Sequence, residues 1–262
     1  MSEAKTPTIQ DLMHTARQAA EAGGRAALRY FKTQLEVEHK TDDSPVTEAD
    51  KQSEAAILAA IQLKFPSHSI LAEESGRLDG DPEFRWIIDP IDGTRGFIRG
   101  GQFWGALIGV EHKGQLVAGS MCLPALDRSY WAGKGLGCFR NGIRLQVSPV
   151  KSLSDATLSL GEMQNLLRPP HQQAVLNLIQ SVASTRGYGD PGGLFMVLEG
   201  LADVWLEAGV KPWDLAHAKI LIEEAGGTYS DFNGEPSIEG GTAIASNGHL
   251  HQTILETLRK FR

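Results

Sequence analysis

Trp86-Ile87-Ile88-Asp89-Pro90-Ile91-Asp92-Gly93-Thr94 sets two carboxylates three residues apart at the end of an apolar run. Trp86, Ile87 and Ile88 predict a buried strand. Pro90 has no N–H to give a ladder and predicts the strand's end. A strand end that carries Asp-x-x-Asp and then a glycine turn suits a hard cation held by oxygen. Mg²⁺ takes one or two protein carboxylates and fills its other positions with water and substrate phosphate. Gly93 and Thr94 add backbone N–H groups that can face a phosphate. Taken alone, the segment also reads as a polar turn after a core strand.

The neighbouring segments decide between these readings. Upstream, Ser69-Ile70-Leu71-Ala72-Glu73-Glu74-Ser75-Gly76 is a second short apolar run that ends in two acids. Downstream, Lys211-Pro212-Trp213-Asp214-Leu215-Ala216 begins a helix that closes on Glu223-Glu224-Ala225-Gly226-Gly227. Through these segments, in this order, the chain resembles the inositol monophosphatase family of Mg²⁺-dependent, Li⁺-sensitive phosphatases. That family joins an E-E motif, D-P-I-D-G-T, and W-D followed by E-A-G-G. The resemblance runs from about Thr8 to the C-terminus. It implies a mixed α/β fold, the layered α-β-α-β-α sandwich of the inositol monophosphatase and fructose-1,6-bisphosphatase type. It further implies an N-terminal lobe over 1–150 with most of the metal ligands, a C-terminal lobe over 151–262 that supplies Asp214, and a homodimer.

Phosphate monoesters hydrolyse very slowly unaided, so the enzyme must position and electrostatically stabilise an in-line transition state. Two metals about 3.5–4 Å apart can clamp the attacking and leaving oxygens. By resemblance, Glu73, Asp89 and the Ile91 carbonyl hold one Mg²⁺, and Asp89, Asp92 and Asp214 hold a second. Glu73 also approaches a third, weaker site. Asp50 and Thr94 match the pair that orients the attacking water, with Glu74 as a supporting acid beside the metal ligands. Gly93 and Thr94 match the phosphate contacts, while Arg186, Asp190, Glu207 and Asp214 fall where the family meets the substrate. Lys40 matches a loop lysine near the metals in some relatives. Each residue also has a plainer reading. Asp50 and Asp214 suit the first turn of a helix, where the dipole favours an acid. Glu73 and Glu74 suit a solvated loop. His217, one turn after Asp214, suits packing on an amphipathic helix more than ligation.

Length and composition bound the rest. The 262 residues can bury a large core in one domain or two intimate lobes, and 41% hydrophobic with 22% charged residues is ordinary globular usage. A net charge of −7 speaks against nucleic acid or an anionic membrane as partner. It does not speak against a phosphate ester, because bound cations invert the local field. Cys122 and Cys138 lie in apolar, strand-like runs, which predicts inert thiols and a reducing cytoplasm. Met1-Ser2-Glu3-Ala4-Lys5 has no apolar stretch, so neither export nor membrane insertion is expected. No Gly-x-Ser-x-Gly elbow or Cys-His signature predicts a covalent intermediate.

Along the chain, Thr8 predicts a helix cap, with apolar positions from Ile9 to Phe31 on one stripe. A polar segment spans Glu36 to Pro45. A second helix opens at Val46-Thr47-Glu48-Ala49-Asp50 and ends at Pro66. A meander follows, with strands Phe103 to Glu111, Leu116 to Leu123, Ser129 to Ala132, Gly137 to Phe139 and Arg144 to Val147. Gly133, Gly135 and Gly137 are turn glycines and no dinucleotide fingerprint, since no helix follows. In the second half, strands Thr157–Leu160, Ala202–Glu207, Thr228–Asp231 and Thr242–Ala245 alternate with helices His171–Val182, Gly193–Leu201, Trp213–Ala225 and Asn247–Arg259.

The substrate must be read from the side that meets the leaving alcohol. Inositol monophosphatases usually continue D-G-T with Asn-Phe, where this chain has Arg95-Gly96-Phe97-Ile98-Arg99-Gly100. They tend to carry G-S-A where this chain has Gly189-Asp190-Pro191. The run from Phe97 to Gly109, Gly189-Asp190 and Lys211-Pro212-Trp213-Asp214 look more like the histidinol-phosphate phosphatases of this superfamily, although Gly96 and Pro191 depart from their common form. The implied reaction is hydrolysis of histidinol phosphate, a step of histidine biosynthesis, by a metal-activated water. Inositol-1-monophosphatase, a 3′-nucleotidase or fructose-1,6-bisphosphatase relative, and a non-catalytic regulatory member remain alternatives.

Overall fold

The structure is a computed structural model that describes residues 6–41 and 44–260, with the side chain of Asp190 outside the described set. Thr8 caps α1 (Ile9–Leu28) reciprocally. Its hydroxyl accepts from Asp11 N at 3.1 Å, and Asp11 accepts from Thr8 N at 3.0 Å. The polar segment after α1 is no simple loop, because β1 (Val37–His39) and β2 (Pro45–Thr47) pair as a hairpin. Then come α2 (Glu48–Lys64), β3 (His68–Ala72), β4 (Gly76–Leu78), β5 (Asp81–Asp92) and α3 (Thr94–Ile98). The meander is β6 (Gly105–His112), β7 (Gln115–Leu123), β8 (Arg128–Gly133), β9 (Gly137–Arg140) and β10 (Ile143–Arg144). These strands form one sheet in the order β10-β9-β8-β7-β6-β5-β3-β4, antiparallel except between β3 and β5. The last strand ends before Val147, whose N–H leaves the sheet to reach Ala225 O.

The second half builds β11 (Thr157–Leu160), α4 (Met163–Leu166), α5 (Gln172–Ser181), β12 (Ser184–Arg186) and α6 (Asp190–Leu198). After these come β13 (Val204–Ala208), α7 (Pro212–Glu224), β14 (Thr228–Ser230), β15 (Thr242–Ser246) and α8 (His251–Lys260). The second sheet has the order β12-β11-β13-β15-β14. Helix α6 begins three residues earlier than the sequence predicts. Pro191, in its first turn, has a fixed φ suited to that position. Helix α8 begins four residues later than predicted, because Asn247 caps the preceding turn by accepting from Leu250 N at 3.3 Å.

Period-two alternation along the strands divides the interior into layers. Trp86, Ile88, Ala106, Ile108 and Val110 face α1 and α2, against Leu12, Ala16, Ile57 and Ile61. Ile87, Leu107 and Met121 face the other way, onto α6 and α7, which also meet Trp205, Ala243 and Ala245 of the second sheet. The far face of that sheet, with Leu158, Leu160, Leu206 and Ile244, packs on α5 and α8. The result is an α-β-α-β-α sandwich. Trp86, Ile87 and Ile88 are each fully buried. At about 1.5–3 kcal/mol per buried large apolar side chain, both faces of β5 resist displacement.

Helix α7 lies unusually close to the first sheet because Gly109 and Gly119, cross-strand partners on β6 and β7, have no side chain. A Cβ on Gly109 would stand 2.4 Å from Ala216 Cβ, and one on Gly119 would stand 2.5 Å from Ile220 Cγ2. That approach brings the N-terminus of α7 to the end of β5. No helix among the described residues is long and apolar enough to cross a membrane.

Candidate active site

Residues i and i+3 of a regular strand face opposite sides. Asp89 pairs with Leu107 and Asp92 with Gly105, three steps on β5 against two on β6, so one extra residue bulges between them. The bulge returns Asp92 to the side of Asp89. Pro90 sits inside it and does not end the strand, contrary to the sequence reading, because a bulge tolerates a residue without an N–H. On the facing helix, Asp214 occupies the third position of α7 and accepts from Lys211 N at 2.7 Å. One oxygen each of Asp89, Asp92 and Asp214 then lie within 4.8 Å of one another.

Asp89 is 2% exposed, and its Oδ1 is buried without a hydrogen-bond partner. Burial, and then the charges of Glu73, Asp92 and Asp214, push its carboxyl well above the usual carboxylate range. A buried acceptor among further carboxylates needs either a proton or a cation. The donors are all oxygen, a set that suits a hard divalent ion.

The acidic loop after β3 is held from two directions. Glu73 N–H reaches Ile88 O at 3.1 Å, which fixes the loop beside β5. Glu54, a buried acid on α2, accepts from Glu74 N at 3.0 Å and Ser75 N at 2.9 Å. Sequence reasoning missed Glu54. Its signal was a position one turn after Asp50, on the helix face of Ile57 and Ile61. Lys40 Nζ donates to Glu73 at 2.7 Å and to Glu74 at 2.6 Å, so the loop lysine does reach the site. Burial works against its charge, but the hydrogen bonds to Glu73 and Glu74 outweigh it and hold its pKa above the usual lysine range. Burial and the charge of Glu73 push Glu74 up to about 7, against the lowering effect of its hydrogen bond from Lys40.

Asp50 contacts both the start of α2 and Thr94. Its Oδ2 accepts from Thr47 N at 2.8 Å and Thr47 Oγ1 at 2.7 Å, closing the cap of α2. Its Oδ1 lies 3.2 Å from Thr94 Oγ1, which also lies 2.8 Å from Ile91 O. Burial raises the Asp50 pKa against the lowering effect of the Thr47 hydrogen bonds. Gly93, at φ 86°, makes the left-handed turn that carries the chain from β5 into α3. First-turn N–H groups of a helix lack intrahelical acceptors.

Trp205 and Glu207 alternate onto the face of β13 that meets α7. Glu207 is buried, and its Oε1 accepts from Glu162 N at 2.6 Å and Ala208 N at 3.1 Å. A Cβ on Gly161 would lie 1.6 Å from Glu207 Oε2, so glycine there makes room for the carboxylate. Asp92, Glu162, Trp205, Glu207, Asp214 and His217 line one cavity of about 120 Å³. His217 is fully buried, and burial lowers its pKa to about 3, which keeps it neutral. Arg186 stands apart on the edge strand β12, exposed, donating to Thr185 O at 2.8 Å. Asp190 opens α6, and its side chain lies outside the described residues.

A profile of the inositol monophosphatase family matches residues 8–262. The chain belongs to the inositol monophosphatase family. A histidinol-phosphatase of Chlorobaculum parvum is 39% identical over 97% of this chain and 97% of its own length. One from Streptomyces coelicolor is 37% identical over 97% and 99%. The solved extragenic suppressor protein suhB from Bartonella henselae superposes with a TM-score of 0.88 at 30% identity, over 95% of this chain and 98% of that one. As a member of this family the chain is a phosphoric monoester hydrolase, and its acidic cluster is one that could hold a metal.

Proposed function

We propose that this protein is a Mg²⁺-dependent histidinol-phosphatase. The observation that carries the reading is the bulge in β5, which turns Asp92 to the side of Asp89, so that both meet Asp214; Asp92 and Asp214 line a cavity that Glu207 also lines. The relatives named as histidinol-phosphatases over nearly the full chain support the choice of ester.

Asp89 would be shared between two Mg²⁺ ions, with Glu73 and the Ile91 carbonyl completing one set and Asp92 and Asp214 the other. Glu73 would also approach a third, weaker position. Bound there, divalent cations supply Lewis acidity toward the phosphate oxygens and lower the pKa of water. The chain's own groups do the rest. Asp50 accepts a hydrogen bond from the Thr94 hydroxyl, which leaves a lone pair of the Thr94 oxygen to accept a hydrogen bond from the attacking water and orient it. Gly93 and Thr94 offer N–H groups to the phosphate. Asp214 ends the wall beside the leaving oxygen. Glu207 and Asp190 provide carboxylates for the ammonium of an amino alcohol, a charge-assisted contact worth roughly 1.5–3 kcal/mol. A neutral polyol gains much less from two acids. Arg186 serves the alcohol side only if the edge strand β12 is drawn inward on binding.

The same proposal takes a free small ester as substrate, with neither nucleic acid nor membrane as partner, and a Li⁺-sensitive homodimer working in the cytoplasm. Comparison of kcat/KM for histidinol phosphate and inositol 1-phosphate, with Mg²⁺ present, tests the ester. Preference for histidinol phosphate supports the assignment. Preference for inositol 1-phosphate overturns it and leaves phosphatase activity standing.

A further inference from the structure

One face of α2 touches three parts of the site. Asp50, Ser53 and Glu54 stand at positions i, i+3 and i+4 of that helix, where side chains share a face. Asp50 meets Thr94, just after β5. Ser53 is fully buried and donates its hydroxyl to Pro90 O at 2.8 Å, inside the bulge between Asp89 and Ile91. Glu54 is 4% exposed and holds the acidic loop.

Glu54 grips that loop with both oxygens. Ala72 pairs with Gly76, so Glu73, Glu74 and Ser75 make up the whole turn between β3 and β4. The Glu73 N–H goes to Ile88 O on β5. The next two N–H groups go to α2 instead, Glu74 N to Glu54 Oε2 at 3.0 Å and Ser75 N to Glu54 Oε1 at 2.9 Å. A carboxylate has one acceptor oxygen for each of them. A glutamine would bring one oxygen and an amide NH₂ that only donates. An aspartate would be one methylene too short to keep both.

The turn matters because Glu73 stands beside Asp89. Ala72 and Ile88 are register partners on parallel strands, and Glu73 and Asp89 are the residues that follow them. The charge of Glu73 acts on Asp89 more strongly than that of Asp92 or Asp214. We propose that Glu54 is a positioning residue for the cation site, which acts through the backbone of the turn to set where Glu73 stands relative to Asp89. The proposal rests on the Mg²⁺ reading and is independent of the ester. Ser53 gives the grip its reference point. Through Ser53 and Glu54, both segments are tied to one helix, so the turn cannot shift against the bulge without breaking a buried hydrogen bond. Groups that orient metal ligands from behind change metal affinity by about 10- to 100-fold when they are replaced.

The test is Mg²⁺ calorimetry on metal-stripped wild type, Glu54→Asp and Glu54→Gln, with Glu73→Gln to mark the binding step that needs Glu73. Amide hydrogen exchange at Glu74 and Ser75 is followed on the same metal-free samples. Misfolded protein lowers the stoichiometry, whereas a misplaced ligand lowers the affinity. The Glu73 step should weaken by about 10- to 100-fold in both Glu54 variants, with faster exchange at Glu74 and Ser75. Unchanged affinity in both variants overturns the proposal, even if exchange quickens or the melting temperature falls, because Glu54 then serves the fold alone. Affinity lost in Glu54→Gln but kept in Glu54→Asp also overturns it, since charge and not position would then be at work. A wild type that binds no Mg²⁺ overturns the metal reading and the proposal with it.

Discussion

Asp89→Asn should make the metal-free protein more stable while abolishing its activity. The wild-type carboxyl is 2% exposed, has one unpartnered oxygen, and faces Glu73, Asp92 and Asp214. Its pKa is raised on folding from an ordinary value of 3.8. The stability it contributes is therefore complete below the unfolded value and is lost as pH rises through the higher folded one. Near neutral pH, without metal, it opposes folding. Asparagine keeps the shape, removes the charge and can donate to the neighbouring acids. Relief of such a site is worth about 1–2 kcal/mol. For a chain of this size that raises Tm by about 2–8 °C. Mg²⁺ at a hundred times its Kd should add about 2.7 kcal/mol to the wild type, a shift of about 5–11 °C, and most of that shift should vanish in the variant. Thermal melts of both proteins in EDTA and in Mg²⁺, followed by circular dichroism, measure the four numbers. A variant less stable than wild type in EDTA, or an equal Mg²⁺ shift in both, would refute the reasoning.

Three other perturbations reach different parts of the site. Thr94→Ala should lower kcat by about 100-fold with little change in KM, in steady-state assays, because the hydroxyl that Asp50 engages is asked to orient water and not to bind the ester. Glu74→Gln should flatten the pH dependence of metal-free stability. The Glu74 contribution is full below its ordinary 4.5 and lost as pH rises through about 7, so urea midpoints taken across that window should fall more steeply in the wild type than in the variant, which keeps only the slope from Asp89 and Asp50. Gly109→Ala should cost about 1–3 kcal/mol by overpacking against Ala216, and by pushing α7 outward it should also weaken Mg²⁺ binding measured by calorimetry.

The carboxylates of the site were legible because each lies in a short contiguous motif whose residue types state the chemistry. Asp50 and Asp214 each carried two readings, as helix-start acids and as site acids, and the structure puts both in the first turn of a helix, with Asp50 also beside Thr94 and Asp214 beside Asp89 and Asp92. The bulge at Pro90 was not legible, because it is a property of pairing between β5 and β6 and not of β5 alone. For the same reason the hairpin of β1 and β2 looked like a polar loop. Its strands are three residues each, and those of β1 are all exposed, so no apolar pattern announces it. Glu54 escaped because a lone acid on a helix face carries no sign of the backbone N–H groups it will meet. The layering was implied by the family resemblance, but the depth to which α7 sinks depends on Gly109 and Gly119 meeting across two strands. His217 was ambiguous in sequence, and its burial becomes visible only with the layers packed around it.

The central claim is that the Asp89, Asp92 and Asp214 cluster works by holding Mg²⁺ for hydrolysis of histidinol phosphate. It is tested most directly by phosphate release from that ester as Mg²⁺ is titrated into EDTA-stripped protein. The account predicts no release before addition, saturable recovery of full activity on addition, and no recovery in Asp92→Asn. Release that survives EDTA, or full recovery in Asp92→Asn, would contradict it.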